Sequence, residues 1–239
     1  MTAPTLLAFD TATEVCSVAL ARAAHVVERS EVVGQHHSEH VLPMAQQLLL
    51  DEGVLLAEVD AIAFGAGPGS FTGLRIACGV AQGAAYGIDK RVLPIGNLAA
   101  LALRAGELEA GARRVAAAID ARMNEVYWAV YDLADGDVVE LVAPSLSAAD
   151  ALPALLAPLA PDTLAGDALT VFAEALAPIA VEHRVPQARA SARTIALLAE
   201  RAHARGEAVA PALAMPLYVR DRVALTIDER SAARTAKAA

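Results

Sequence analysis

Residues 64–79 read FGAGPGSFTGLRIACG: five glycines, a proline, a serine and a threonine, with apolar runs on both sides. A stretch of this kind is either a loop that cradles phosphate or a tight turn that lets a helix pack. A Walker-type loop needs G-x-x-x-x-G-K-[ST], but Gly73 is followed by Leu74 and no lysine lies near. The dinucleotide fingerprint G-x-G-x-x-G also fails, because Gly67, Gly69 and Gly73 leave one residue too many. The free N–H groups of the following helix could still hold an anion. The structural alternative is favoured: Gly67, Gly69 and Gly73 permit a sharp strand-to-helix turn, and Ser70 or Thr72 caps the helix.

The segment before this turn, DAIAFGAG (60–67), is a continuous apolar run, the pattern of a strand covered on both faces. After it a helix is expected from about Thr72 to Tyr86. Gly79, Gly83 and Gly87 recur there every four residues, with Ala77, Ala81, Ala84 and Ala85 between them. A glycine inside a helix costs about 0.5–1 kcal/mol relative to alanine, so Gly79 and Gly83 imply close approach of a neighbour. That neighbour is either the chain's own sheet, the favoured case, or a second chain.

Upstream, residues 5–10, 15–21 and 25–33 read as a meander of three strands. HHSEHVLPMAQQLLLDEG then forms a helix, with Ser38 as N-cap, Pro43 near the first turn and Gly53 as the stop. Val41, Leu42, Ala45, Leu48 and Leu49 share its apolar face. Downstream, RVLPI (91–95) is a strand and residues 97–105 a helix. The polar, glycine-bearing break at 105–114 marks a boundary. The second half opens with a strand at 114–120 and a hairpin over 125–141 around Asp135-Gly136. Weaker αβ units follow to Pro186, then a helix over 191–206 stopped by Gly206. The expected divisions are 1–106, 107–190, a C-terminal helix and segment over 191–227 packing back on both lobes, and a frayed tail from 228 to 239. Two α/β halves that each open with a meander suggest duplication, although no sequence repeat proves it.

Of the 239 residues 56% are hydrophobic, many of them alanine, and only 4% are aromatic. No run approaches the roughly 18–20 apolar residues of a bilayer span. The start, MTAPTLLAFD, has no basic leader, which argues against a signal peptide. Cys16 and Cys78 lack a CxxC partner and read as buried free thiols, suiting a reducing cytoplasm. The net charge of −9 disfavours direct nucleic-acid binding, which Lys and Arg drive by displacing counterions. His36 and His40 stand four apart, a metal-binding spacing on a helix, but a solvent-facing helix entry is the favoured explanation.

Five stretches in order carry a resemblance: DTATEVCSVAL (10–20), HHSEHVLP (36–43), GPGSFTGLRIACGVAQG (67–83), DARMNEVYWAVY (120–131) and MPLYVRDRVA (215–224). Together they resemble the TsaB (YeaZ) family. The resemblance implies an α/β fold of two related lobes of the actin, sugar-kinase and Hsp70 ATPase type, with mixed sheets flanked by helices. It implies a non-catalytic role in making N6-threonylcarbamoyladenosine at position 37 of tRNAs that read ANN codons. The partners implied are the metal-holding catalytic paralogue TsaD, the small ATPase TsaE, and a second copy of the chain when it is alone. Contact with tRNA would run through the complex. No membrane, metal or cofactor is implied. Where the paralogue carries an H-x-x-x-H metal motif, this chain has PIGNLAALALRA (94–105), without histidine or carboxylate.

The family's pairing mode makes Leu42, Ala45, Leu49, Arg75, Gly79, Gly83 and Tyr86 the expected partner surface. Its nucleotide-binding cousins grip phosphate where Asp10, Thr11 and Thr13 stand. Asp120 and Arg122 open the matching segment of the second half, and Gly166-Asp167 falls at a nucleoside contact. A vestigial or weak site is expected there. The rival function is an ATP-dependent small-molecule kinase of the same fold. A peptidase, proposed for the wider family, lacks any Ser/His/Asp arrangement here.

Overall fold

The structure, a computed structural model, describes residues 3–23, 25–134 and 137–220. The apolar residues of TLLAFD and VCSVALAR pair β1 (Thr5–Asp10) antiparallel with β2 (Val15–Arg22), placing Leu7 opposite Leu20 and Phe9 opposite Val18. The chain then forms β3 (His25–Val32), α1 (His37–Asp51), β4 (Ala61–Gly67), α2 (Phe71–Gly87), β5 (Arg91–Gly96) and α3 (Asn97–Leu108). Every residue of β4 is buried, as its unbroken apolar run requires. The first sheet has the order β3-β2-β1-β4-β5, with β1, β4 and β5 parallel.

The second half repeats the plan. It comprises β6 (Arg114–Arg122), β7 (Glu125–Ala134), β8 (Asp137–Ala148), α4 (Leu152–Leu156), β9 (Thr163–Ala165), α5 (Ala168–Val171), α6 (Ala173–Leu176), β10 (His183–Val185) and α7 (Ala192–Ala204). Its sheet runs β8-β7-β6-β9-β10, with β6–β8 antiparallel and β6, β9 and β10 parallel. The duplication that no sequence repeat reveals is therefore present in the strand order.

The layers interleave the two halves. Helices α1 and α2 cover one face of the first sheet through Val41, Leu48, Ala77 and Ala81. On its other face lies α7, by Ala192, Ile195, Ala196 and Ala199. Helix α3 puts Leu98, Leu101, Ala102 and Ala105 on the second sheet, whose far face carries the short helices α4–α6. The last helix thus closes the first lobe, and α3 serves the second. Alanine dominates these layers, which lets helices approach sheets closely with few aromatics. Among the described residues no helix is long and apolar enough to cross a membrane.

Several expectations shift. The N-cap of α1 is His36 rather than Ser38, because His37 is buried on the same inward stripe as Val41, Ala45 and Leu48, and the helix starts two residues earlier. Pro43 consequently falls in the second turn. Strand β8 runs on to Ala148 through Pro144, which an edge strand accommodates because no neighbour needs the missing N–H. The Asp135-Gly136 turn and the 228–239 tail lie outside the described residues. Gly206, at φ +75°, ends α7 as read.

The glycines of α2 divide into two kinds. A Cβ on Gly73 would collide with the backbone carbonyl of Thr11, so this turn of helix must be glycine. At Gly79, Gly83 and Gly87 a Cβ would meet nothing within 4 Å. The favoured expectation of packing against the chain's own sheet is therefore corrected: these glycines face outward. Gly79→Ala and Gly83→Ala should each raise the stability of the isolated chain by about 0.5–1 kcal/mol. Gly73→Ala should lower it by about 2 kcal/mol or more. Urea unfolding of the three variants checks both signs.

Candidate functional site

The carboxyl ends of β1 and β4 meet α2 in one knot. Asp10 closes β1, and its Oδ1 accepts from the Ala12 N–H (3.3 Å) and from Nδ2 of Asn97 at the start of α3 (2.9 Å). Oδ1 of Asn97 in turn accepts from the Gly67 N–H at 2.7 Å. A Cβ on Gly65 would strike this carboxylate–amide pair, so the strand beside it is bare. Thr11 donates its hydroxyl to the Gly73 carbonyl (2.7 Å), and Ser70 N–H donates to the Ala12 carbonyl (2.8 Å). A Cβ on Gly69 would lie 2.8 Å from that of Ala12. Ser70 caps α2 by accepting from the Gly73 N–H at 3.3 Å. Thr13 accepts from the Val15 N–H at 3.1 Å.

This arrangement answers the question raised by residues 64–79. The glycines press the start of α2 against the β1–β2 turn, and the turn's hydroxyls, carboxylate and Ala12 N–H bond to the protein itself. Asp10 is 1% exposed and Thr11 fully buried. Burial pushes the Asp10 carboxyl from its ordinary 3.8 up to about 6, against the opposing pull of the Asn97 and Ala12 hydrogen bonds. Nearby Cys16 is also driven up, to about 11, first by burial and then by the charges of Asp10 and Glu31, which leaves an inert thiol.

The duplicated position in the second lobe is built alike but left open. Asp120 stands at the irregular end of β6, two residues before its last, and accepts from the Arg122 N–H at 2.8 Å, the same local turn that Asp10 makes with Ala12. Asp167 follows Gly166 at the end of β9 and accepts from the Asp120 N–H at 3.0 Å. Gly166 has φ +114° and Gly67, its counterpart after β4, +123°. Arg122 pairs with the Asp120 carboxylate at 3.1 Å and is 88% exposed. Thus Asp120, Arg122, Gly166 and Asp167 come together at one sheet end, and Asp10, Thr11 and Thr13 at the other.

The outer face of α1 and α2 is the second candidate surface. Tyr86 (83%) on α2 and Leu50 (74%) and Leu42 (48%) on α1 are exposed, as are Gly79 and Gly83. Arg75 is also exposed, its guanidinium 3.8 Å from the Phe71 ring centroid. Ala45 and Leu49 are a correction: both are buried against the first sheet and offer a partner nothing. They share the apolar face of α1, and that face points inward. His36 pairs with Glu39 and His40 with Glu31, so the two imidazoles turn to different carboxylates. Among the described residues no three metal-ligating side chains cluster.

Asn97 and Leu50 escaped the sequence reading. The asparagine is the one polar residue in PIGNLAALAL (94–103), and a lone amide in an apolar run is the signal that could have flagged it. Leu50 follows Leu48 and Leu49, where periodicity alone does not single out the outward leucine.

The chain matches the family model described as TsaD, tRNA N6-adenosine threonylcarbamoyltransferase, over residues 25–226. It is 52% identical over 124 residues to the tRNA threonylcarbamoyladenosine biosynthesis protein TsaB of Haemophilus influenzae, covering 52% of each chain. The chain spans about half the length of the curated relatives it matches. Two solved Pseudomonas aeruginosa structures extend the likeness further. One is an uncharacterized protein with similarity to peptidase YeaZ, at TM-score 0.83 and 42% identity over 91% of this chain and 100% of that one. The other is YeaZ, at TM-score 0.78 and 38% identity over 90% and 99%.

The Asp10 carboxyl makes folding pH-dependent in a defined direction. Its folded value lies above its unfolded one, so the folded state binds the proton more tightly. Its stabilisation is present in acid and is lost as pH rises from about 4 through about 6. Asp10→Asn keeps the acceptor oxygen without the buried charge. In urea titrations it should lose this dependence and exceed the parent at pH 7 by about 1–3 kcal/mol. A parent stability that climbs over the same interval would contradict this.

Proposed function

The chain belongs to the TsaB/YeaZ family, and on that footing we propose that it is a non-catalytic scaffold and activator in forming N6-threonylcarbamoyladenosine at position 37 of tRNAs reading ANN codons. It pairs with a TsaD-like catalytic paralogue through the outer face of α1 and α2, and a TsaE-like ATPase joins the pair. Alone, it self-associates by the same face. It works in the cytoplasm, and tRNA is held by the complex, as an acidic chain of −9 favours.

The observation that carries the proposal is the outward glycine row of α2. Gly79 and Gly83 have no internal neighbour to accommodate, yet each weakens the helix. A second helix laid across them, with Leu42, Leu50 and Tyr86 around it, supplies the missing gain by close approach. The first-lobe phosphate turn supports the same conclusion from the other side. With Thr11 bonded to Gly73 and Asp10 to Asn97, two of the usual nucleotide anchors in that turn are already engaged. We read Asp10, Thr11, Thr13, Asp120, Arg122, Gly166 and Asp167 as a vestigial site. Where the catalytic paralogue has metal-binding histidines, this chain has Asn97 serving the Asp10 knot.

Reconstitution tests the proposal. Modified adenosine is counted in mixtures of tRNA, threonine, bicarbonate, ATP, the adenylate-forming enzyme, TsaD and TsaE, with and without this chain. Modification should require the chain and should fall to background with Gly79→Leu or Gly83→Leu, although both variants fold. Equal modification without the chain would defeat the proposal, and undiminished modification with both variants would remove α2 from the interface.

A further inference from the structure

Residues 214–220 are neither part of the glycine knot nor of the α1–α2 face, yet they touch both lobes. Ala214 is buried, and its carbonyl accepts from Nε2 of Gln82 (3.0 Å) and Sγ of Cys78 (3.4 Å), both on α2. Leu217 N–H donates to the Ala66 carbonyl at the end of β4 (2.7 Å). Gly67 leaves space for the Leu217 carbonyl, which a Cβ there would approach to 2.7 Å. The Tyr218 ring lies 5.4 Å from that of Phe71, and its hydroxyl accepts from Nε of Arg75 at 3.0 Å. Two residues after Tyr218, and three after Leu217, Arg220 is in the other lobe. Its Nη2 donates to the Ala121 carbonyl (3.0 Å) and to Oε2 of Glu125 (2.6 Å), and Nη1 to Sδ of Met123 (3.1 Å).

Three residues of chain reach at most about 10 Å, so the end of β4 and the β6–β7 turn are bridged over a short span. The link from α3 into β6 joins the lobes at the opposite end, and a second crossing runs from β10 into α7. From Arg114 to Ala121 the strand rises roughly 23 Å at 3.3 Å per residue. A hinge at one end and a tie at the other define a lever. The tie is well made: the Arg220 side chain is 14% exposed, and its pair with Glu125 is charge-assisted and partly withdrawn from water. The turn it grips also needs support, because Arg122, Met123 and Asn124 all hold left-handed φ values of 65°, 56° and 61°.

We propose that residues 214–220 are a strap that sets the angle between the lobes, with Arg220 as the latch on the β6–β7 turn. The strap also joins two surfaces that are otherwise separate: Arg75 on α2 and the Asp120–Arg122 turn communicate through Tyr218 and Arg220. The inference rests on the two-lobe fold alone and stands apart from the proposed function.

Spin labels on Ala57→Cys in the first lobe and Glu174→Cys in the second, both exposed, report the inter-lobe distance in the full chain; the native cysteines are buried. One narrow distance is expected for the parent strap. Arg220→Gln and Tyr218→Ala should each broaden it or add a second, longer population. Exchange of the Leu217 amide should quicken by about tenfold, as expected for loss of a charge-assisted hydrogen bond. If Arg220→Gln fails to fold, Glu125→Gln breaks the same pair from the other side and should give the same broadening. An unchanged narrow distance in the folded variants overturns the proposal, and so does faster Leu217 exchange with the distance unmoved.

Discussion

The contact between Gly73 and the Thr11 carbonyl is the constraint on which the first lobe depends. It draws the start of α2 down onto the β1–β2 turn and brings Gly69 onto Ala12. The ends of β1 and β4 then lie side by side, where Asn97 bridges Asp10 and Gly67. Any side chain at position 73 would lift the helix and leave the Thr11 hydroxyl and Ala12 carbonyl unpaired inside the protein. Buried polar groups without partners are expensive, so the glycine and the hydrogen bonds enforce one another.

The same architecture is used twice with different outcomes. Asp10 and Asp120 stand near the ends of equivalent strands, each accepting from the amide two residues on. Around Asp10, burial beneath the glycine turn raises the carboxyl's affinity for a proton, against the opposing pull of the Asn97 hydrogen bond. Around Asp120, Arg122 stands in solvent and Asp167 faces the turn. The duplicated scaffold therefore carries two matching turns, of which one is packed against the start of α2. Further along the same helix, Gly79 and Gly83 face outward.

Much of this was legible in the residues. The apolar runs of β1, β2 and β4, and the failure of residues 64–79 to match either phosphate motif, led directly to the first lobe and to a structural turn. Three things were hidden. Outward and inward glycines share a sequence pattern, because four-residue spacing says which positions align but not which face is covered. Leu49 and Leu50 are adjacent leucines with opposite fates, decided by where α1 lies on the sheet. The knot and the strap beside it depend on pairs far apart in sequence: Asp10 with Asn97 in the one, Ala66 with Leu217 in the other. Local patterning carries no signal for such pairs.

The central claim is that the β1–β2 turn is a packing joint and no longer a phosphate grip. Isothermal titration of the isolated chain with ATP and Mg²⁺ tests it most directly. Heats no larger than dilution across the micromolar range are the predicted result. Saturable micromolar binding that Asp10→Ala abolishes would contradict it and would make the turn a working nucleotide site.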